Sequence, residues 1–203
     1  MNAIDPRPNG IDPRPLYTRA TEQAAAVIKT VRPEQLTAPT PCAEFDVRGL
    51  LSHIVGGTVR IAVVGEGGDG LSMSSFAEGV EDDDWAAAYD EARTRVLKAW
   101  ASDERMSTPV RVPWGEVPGH AALSGYVMEI VTHTWDLAEA LGRPLGLDPE
   151  LAEFALATAR RVLPDERPRG GETPFGARHE ARAGADVHER LAAWLGRTPL
   201  SRA

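Results

Sequence analysis

The chain has 203 residues, of which 42% are hydrophobic and 26% charged, the composition of an ordinary globular protein with one domain or one domain and an appendage. No stretch approaches the roughly 18 uninterrupted apolar residues of a membrane span, and the single cysteine excludes an internal disulfide framework. The formal net charge of −8 opposes attraction to a polyanion, so we expect neither a nucleic acid nor a membrane as a partner.

The first fifteen residues contain the motif IDPRP twice. Because proline removes backbone donors and favours extended backbone, we predict a flexible arm over residues 1–15. The arm has no apolar stretch of the kind that makes a secretory signal. We therefore expect the protein in the cytoplasm.

From residue 16 onward, apolar residues recur at intervals of three and four, which is the spacing of one helix face. Asp46 and Asp186 are predicted N-caps of the second and the last helix, and Gly142 ends the fourth. The periodicity predicts helices that begin near Leu16, after Asp46, at Trp85, near His120, at Pro149 and after Asp186.

Two stretches between the helices differ from this pattern. The glycine-rich, acidic segment 65–83 is predicted to be a loop, and the composition of residues 78–84 indicates mobility. Val110 and Val112 alternate with Arg111 among prolines and glycines, which predicts a short extended ribbon.

Together these elements predict an all-α protein, a helical bundle over residues 16–162 with the short ribbon inserted. Residues 163–203 are predicted to form a small C-terminal appendage, irregular apart from its terminal helix.

The fourth predicted helix, HAALSGYVMEIVTHTWDLAEALG, is apolar nearly all round, as a helix buried among others is. Glu129 lies in its middle, and a buried carboxylate has to be paired, protonated or bound to a metal. His133 follows one turn later on the same face, and Asp136 lies one turn beyond it. His53 of the second helix lies just off the apolar stripe, where it would face a neighbouring helix.

Two imidazoles and a carboxylate, with one position left for water, are the donor set of a catalytic metal site. Zinc suits this set, and nickel and iron(II) are compatible with it. Asp136 would then accept a hydrogen bond from an imidazole behind the metal. Spacing alone leaves an ordinary alternative open, since a Glu–His pair four residues apart is commonly an ion pair and a lone histidine is often a core residue.

Three segments carry a resemblance to a known family: TPCAEFDVRGLLSHIVGG (40–57), GYVMEIVTHTWDLAEALGRP (125–144) and PFGARHEARAGADVHERLAAWLGRTP (174–199). The chain resembles the DinB-like metal-binding superfamily, in particular the actinobacterial group that includes the N-terminal domain of mycothiol-dependent maleylpyruvate isomerase. The resemblance implies a DinB-like four-helix bundle in which His53, Glu129 and His133 hold a divalent metal, with mycothiol as a cosubstrate. The isomerase has a sizeable C-terminal domain, whereas only about sixty residues follow the fourth helix here.

We therefore expect a divalent-metal protein that uses a small-molecule thiol, mycothiol by resemblance, as a transferase or isomerase acting on a small electrophile. A metal-dependent binding or regulatory protein without turnover is one alternative. A metal hydrolase is another, although no general base is evident outside the ligands. Both a monomer and a homodimer are compatible with the sequence.

Four other residues are weaker candidates for the site. Arg111, Arg178 and Arg182 lie near the ribbon and the tail and are candidate contacts for an anionic substrate, although surface solvation explains them equally well. Cys42 is predicted to be a buried structural thiol about 10 Å from His53 along the chain, which is too far to supply a reacting sulfur.

Overall fold

The computed structural model describes residues 11–142, 146–163 and 175–200. Within these ranges the chain forms seven α-helices and one antiparallel β-hairpin, which confirms the all-α prediction and the ribbon. The helices are α1 (Pro13–Ile28), α2 (Val47–Gly65), α3 (Trp85–Ala99), α4 (Asp103–Ser107), α5 (Gly119–Ala140), α6 (Pro149–Val162) and α7 (Val187–Trp194). The hairpin consists of β1 (Pro109–Val112) and β2 (Gly115–Pro118).

Helix α5 is the centre of the bundle. It packs along α1 and α6 and also contacts α2 and α7, while α2 packs along α3. Between Ala122 and Ala138 every residue of α5 is buried except Glu129. The predicted buried helix is thus confirmed, and its one break in burial falls on its central carboxylate.

The ends of the helices follow the predicted capping signals. Asp46 accepts a hydrogen bond from the Gly49 amide at 2.8 Å, and Asp186 accepts one from the Glu189 amide at 2.9 Å. Gly142 has a φ of 63°, the left-handed conformation that ends a helix without a steric penalty. These local signals fix where α2, α5 and α7 begin or end.

The N-terminal prediction is wrong for residues 13–15, because α1 begins at Pro13 rather than near Leu16. Proline suits the first turn of a helix, where its missing N–H has no partner to lose, and the Asp12 carboxylate caps the turn. Arg14 fixes the start further through an ion pair to Asp103 at 2.7 Å. The first IDPRP copy, residues 4–8, lies outside the described residues.

The loop between α2 and α3 contacts α2 at Ala77 and Asp82, and the predicted mobility of residues 78–84 stays a prediction. The Ala77 amide donates to the Ser52 carbonyl at 3.0 Å, and the Ser52 hydroxyl donates to the Ala77 carbonyl at 2.8 Å. Arg48 of α2 pairs with Asp82 in the acidic stretch. A side chain at Gly56 would overlap the backbone of Phe76, so a glycine here permits the close approach of the loop.

The described part of the C-terminal segment shares one hydrophobic core with the bundle, to which it contributes Phe175, Leu191 and Leu195. Residues 164–174 and 201–203 of the predicted appendage lie outside the described residues.

By length and composition one described helix, α2, could cross a membrane, and 56% of its apolar window is buried inside the protein. Arg48 and Arg60 interrupt its apolar sequence.

Candidate metal centre

Three side chains converge where α2 faces α5. The Oε1 atom of Glu129 lies 3.3 Å from Nε2 of His53 and 3.3 Å from Nε2 of His133. The donor atoms of the three residues all lie within 4.8 Å of one another. Donors about 3.3 Å apart span one edge of a tetrahedron around an ion with bonds of about 2.0–2.1 Å. The two Nε2–Oε1 distances therefore fit a divalent metal held by these three donors, which would leave a position for a further ligand.

The three side chains differ in their exposure to solvent. The His133 side chain is 6% exposed and that of His53 is 19% exposed, whereas Glu129 is 33% exposed. The expectation of a buried Glu129 is therefore met only in part, because a third of its side chain is exposed to solvent. A small molecule could reach the three donors from there.

The charges within the cluster balance one another. Burial alone would raise the pKa of Glu129, but its contacts with His133 and His53 hold that pKa well below its ordinary value. Burial alone would lower the pKa of His133, but hydrogen bonds to Asp136 and Glu129 raise it to about 9. In the metal-free protein near neutral pH, a protonated His133 therefore faces the Glu129 carboxylate, and a divalent cation would take the place of that proton.

A second set of contacts lies behind His133. Its Nδ1 atom donates to Asp136 Oδ2 at 3.0 Å, which is the contact expected of Asp136. The same oxygen accepts a hydrogen bond from Nε of Arg197 at 3.1 Å. Asp136 is fully buried and Arg197 is 5% exposed. Sequence reasoning missed Arg197, which lies 61 positions from Asp136 in the chain.

His53 has a different environment. Its ring stacks on that of Phe45 with centroids 5.3 Å apart and planes 29° apart, and the Phe76 ring lies 5.5 Å away. Its Nδ1 atom is buried and has no hydrogen-bond partner among the described residues. Neither phenylalanine was predicted, because Phe45 precedes α2, Phe76 lies in the loop after it, and no local pattern links either ring to a histidine on α2.

Cys42 is buried, as predicted, but counting residues from Cys42 to His53 did not predict that its sulfur lies beside His133. Its sulfur lies within 4.8 Å of donor atoms of both His133 and Asp136, because the loop before α2 folds back toward α5. Burial raises the pKa of the Cys42 thiol, and Nη2 of Arg197 lies 3.5 Å from the sulfur. The guanidinium contacts both Cys42 and Asp136, so it already supplies the positive charge that a cation would bring to this second group.

Two of the three predicted substrate-binding arginines already have partners in the tail. Arg182 pairs with Glu189 at 2.7 Å, and the guanidinium of Arg178 lies 5.2 Å from the centre of the Trp194 ring. Arg111 is exposed on β1. A role for these three residues in substrate binding stays a prediction.

Sequence reasoning also missed Arg60, two turns after His53 on α2. Burial raises the pKa of the Tyr126 phenol; the charge of Arg60 lowers it and the charge of Glu129 raises it. Arg60 therefore acts on Tyr126, which lies one turn before Glu129 on α5. The spacing of seven residues from His53 was the signal that could have found it.

Comparisons with known proteins point in one direction. Residues 17–138 match the family model of the mycothiol maleylpyruvate isomerase N-terminal domain. Two uncharacterized proteins of Mycobacterium tuberculosis, Rv0738 of strain H37Rv and MT0763 of strain CDC 1551, are each 34% identical over 188 residues, 93% of this chain and 99% of theirs. A crystal structure of the mycothiol-dependent maleylpyruvate isomerase matches with a TM-score of 0.57 and 14% identity, over 72% of this chain and 66% of that one. The fold is thus the DinB-like all-α fold that the resemblance implied.

Proposed function

The chain belongs to the family of the mycothiol maleylpyruvate isomerase N-terminal domain, and we propose that it is a divalent-metal, mycothiol-dependent transferase or isomerase that acts on a small electrophile. The observation that carries the proposal is the convergence of His53, Glu129 and His133 on one point that is open to solvent. Mycothiol comes from the family name and the metal from the donor set. The electrophile and the reaction are our inference.

In this proposal His53, Glu129 and His133 hold one metal ion per chain. Zinc is the best match to two imidazoles and one carboxylate, and nickel and iron(II) remain compatible with them. When bound, such an ion favours the thiolate form of a thiol, which is then ionised near neutral pH.

The reacting sulfur comes from outside the chain. Cys42 is the single cysteine, and its buried thiol has a raised pKa and lies against Arg197. A thiol in that position is neither ionised nor accessible to a substrate. An added thiol, by contrast, can enter on the exposed side of Glu129.

The proposed reaction requires only this external thiol and an electrophilic second substrate. The thiol gives up its proton to solvent, and the thiolate forms a bond to the electrophilic carbon of the second substrate. With a haloarene, departure of the halide with its electron pair completes a transfer. With an activated alkene, the carbanion formed next to the activating group takes a proton from solvent, which completes a conjugation. If the electrophile is a cis alkene conjugated to a carbonyl, the adduct has a single bond that rotates, and loss of the thiolate restores the double bond as the trans isomer. For an anionic electrophile, Arg60 is a candidate contact, because its charge acts on Tyr126 one turn before Glu129.

The contacts of the acidic residues favour this chemistry over hydrolysis. A metal hydrolase places a free carboxylate beside the attacking water. Glu129 is committed to the two histidines here, and Asp136 is fully buried and committed to His133 and Arg197.

The test is an assay of metal-loaded protein with an activated alkene or a haloarene, with and without mycothiol. We expect conjugation or isomerisation only when the thiol is present, and no activity toward panels of esters and amides. Glu129→Ala should abolish the activity, whereas the matched change Glu139→Ala on the same helix should retain it.

Two outcomes would contradict the proposal. Thiol-independent hydrolysis at comparable rates would favour the hydrolase. Absence of turnover in both assays, together with a small molecule that copurifies with the protein, would favour a binding protein.

A further inference from the structure

Arg197 is a buried charged residue that the proposed chemistry does not use. Its side chain is 5% exposed, and it lies in the tail beyond the last helix. Burying a guanidinium is costly unless its charge is paired and its donors are satisfied. The contacts that offset this cost all lie behind the candidate metal centre.

The end of α7 directs Arg197 inward. The Gly196 amide donates to the Ala193 carbonyl at 3.2 Å, and the Arg197 amide donates to the Ala192 carbonyl at 2.9 Å. This pair of bonds is a Schellman motif, which requires a left-handed residue, and Gly196 has a φ of 77°. A Cβ at Gly196 would also lie 2.6 Å from the Cα of Gly176, so the turn needs glycine for two reasons. The Leu-Gly-Arg helix end thus reverses the chain and places Arg197 against α5.

Four groups hold the guanidinium there. Nε donates to Asp136 Oδ2 at 3.1 Å, Nη1 donates to the Leu195 carbonyl at 3.2 Å, and Nη2 lies 3.5 Å from the Cys42 sulfur. The guanidinium carbon lies 5.5 Å from the centre of the Phe175 ring. Only the planar guanidinium fork can reach these groups at once, so lysine is not an equivalent.

The contact with Asp136 connects Arg197 to a candidate metal ligand. Asp136 Oδ2 receives hydrogen bonds from both Arg197 and His133 Nδ1, while Oδ1 is buried and has no hydrogen-bond partner in the part of the chain that the structure describes. The carboxylate is therefore oriented and neutralised through one oxygen. Removing Arg197 would leave it free to rotate and would leave its charge to be balanced by His133 alone.

We propose that Arg197 is a positioning residue for the metal centre. It fixes the Asp136 carboxylate so that this group accepts the Nδ1 proton of His133, which orients the ring and leaves Nε2 aimed at Glu129 and the open position. The inference rests on the proposed metal site, and it adds that the tail beyond α7 completes that site.

The experiment compares wild type with Arg197→Met and Arg197→Lys, and uses Arg190→Met as the matched control. Arg190 lies on α7 and pairs with Glu153 at the surface, 3.0 Å away. The first readout is zinc affinity, measured by competition with a chelating dye. We expect Arg197→Met to weaken zinc binding about 10–100-fold, the usual loss for a partner behind a ligating histidine. Arg197→Lys should recover only part of this loss, and Arg190→Met should match wild type.

The second readout does not depend on metal. In the metal-free protein, the Nδ1 proton of His133 should give a resolved NMR signal that exchanges slowly with water in wild type and in Arg190→Met. In Arg197→Met the exchange should become faster, because Asp136 no longer holds the proton. If Arg197→Met fails to fold, Arg197→Lys decides the question by the same two measurements.

The outcomes separate this inference from the proposed function. Zinc affinity within twofold of wild type and an unchanged His133 signal in the Arg197 variants would overturn the positioning role. If wild type binds no metal, the proposed function fails, and the His133 signal still decides whether Arg197 holds Asp136 against His133.

Discussion

His133 and His53 face the same carboxylate oxygen at the same distance, yet their rings are held by different chemistry. His133 is fixed from behind by a buried carboxylate, which is itself fixed by Arg197 of the tail. His53 is fixed by the rings of Phe45 and Phe76, and its second nitrogen has no partner among the described residues. The hydrogen bonds behind His133 fix the direction of its ring but require buried charges. The aromatic contacts of His53 fix the position of its ring without any charge.

This difference teaches where the candidate site is rigid and where it can adapt. Removing one partner of a buried, hydrogen-bonded ion pair is strongly destabilising, because the other charge stays buried without a partner. Aromatic stacking is weaker and tolerates small changes of ring position. We therefore expect the His133 side to determine stability and metal affinity, and the His53 side to have a smaller influence. The predictions that follow are ordered from the largest expected effect to the smallest.

The largest effect is expected from Asp136→Asn. The change leaves the Arg197 guanidinium buried without a counter-ion, and removing one partner of a buried pair costs about 3–5 kcal/mol of unfolding free energy. Chemical denaturation of the metal-free protein measures this loss. Glu153→Gln, which breaks the exposed pair with Arg190, should cost at most about 1 kcal/mol.

A double variant sharpens the same test. Asp136→Asn combined with Arg197→Met removes both charges and should be more stable than Asp136→Asn alone. If the unfolding free energy of Asp136→Asn is within about 1 kcal/mol of that of wild type, the charged contacts behind His133 contribute less to stability than we propose.

Metal removal is the next largest effect. A ligand that binds only the folded state stabilises it by about 2.7 kcal/mol when its free concentration is 100 times its Kd. We expect a chelator to lower the melting temperature of wild type, and to have no effect on His133→Ala. Equal melting temperatures of wild type before and after verified metal removal would contradict a site that forms part of the folded state.

The pH dependence of the stability of the metal-free protein reports on the charged groups around His133. The pKa of His133 rises from an ordinary 6.5 to about 9 on folding, so its protonated form stabilises the folded state. This contribution is fully present below pH 6.5 and is lost as the pH rises through about 9. Urea denaturation at several pH values with chelator present should show this fall in wild type. His133→Asn should not show this fall in stability. The same change of unfolding free energy with pH in both proteins would refute the assignment of the fall to His133.

The aromatic side should give the smallest effect. Phe45→Leu keeps an apolar side chain next to His53 but removes the ring stack, which is worth about 0.5–1.5 kcal/mol. We expect zinc affinity to fall about 2–10-fold, less than for Arg197→Met. Calorimetric titration of both variants makes the comparison. A larger loss from Phe45→Leu than from Arg197→Met would reverse the ranking of the two sides.

The parts of this molecule that sequence reasoning predicted are those that depend on local signals. The Asp46 cap, the end of α5 at Gly142 and the shared face of Glu129 and His133 follow from contacts within a few residues. His53 was placed opposite them because its position off the apolar stripe of α2 pointed toward a neighbouring helix.

The parts that sequence reasoning missed depend on contacts between distant residues. Arg197 reaches Asp136 across 61 positions, and Ser52 holds Ala77 across 25. The acidic, glycine-rich composition of the loop gives no signal for the two hydrogen bonds between Ser52 and Ala77. Cys42 was placed by counting along α2, which gives no information on a loop that folds back before the helix begins.

The central claim is that His53, Glu129 and His133 bind one divalent metal ion. Elemental analysis of protein purified without a metal-affinity tag tests it most directly, on wild type, His133→Ala and the matched variant His120→Ala, which alters another buried histidine of α5. We predict one equivalent of a divalent metal per chain in wild type and in His120→Ala, and none in a His133→Ala protein that keeps its helical content. Full metal occupancy in His133→Ala, or no metal in wild type even after incubation with zinc, nickel and iron(II), would contradict the claim.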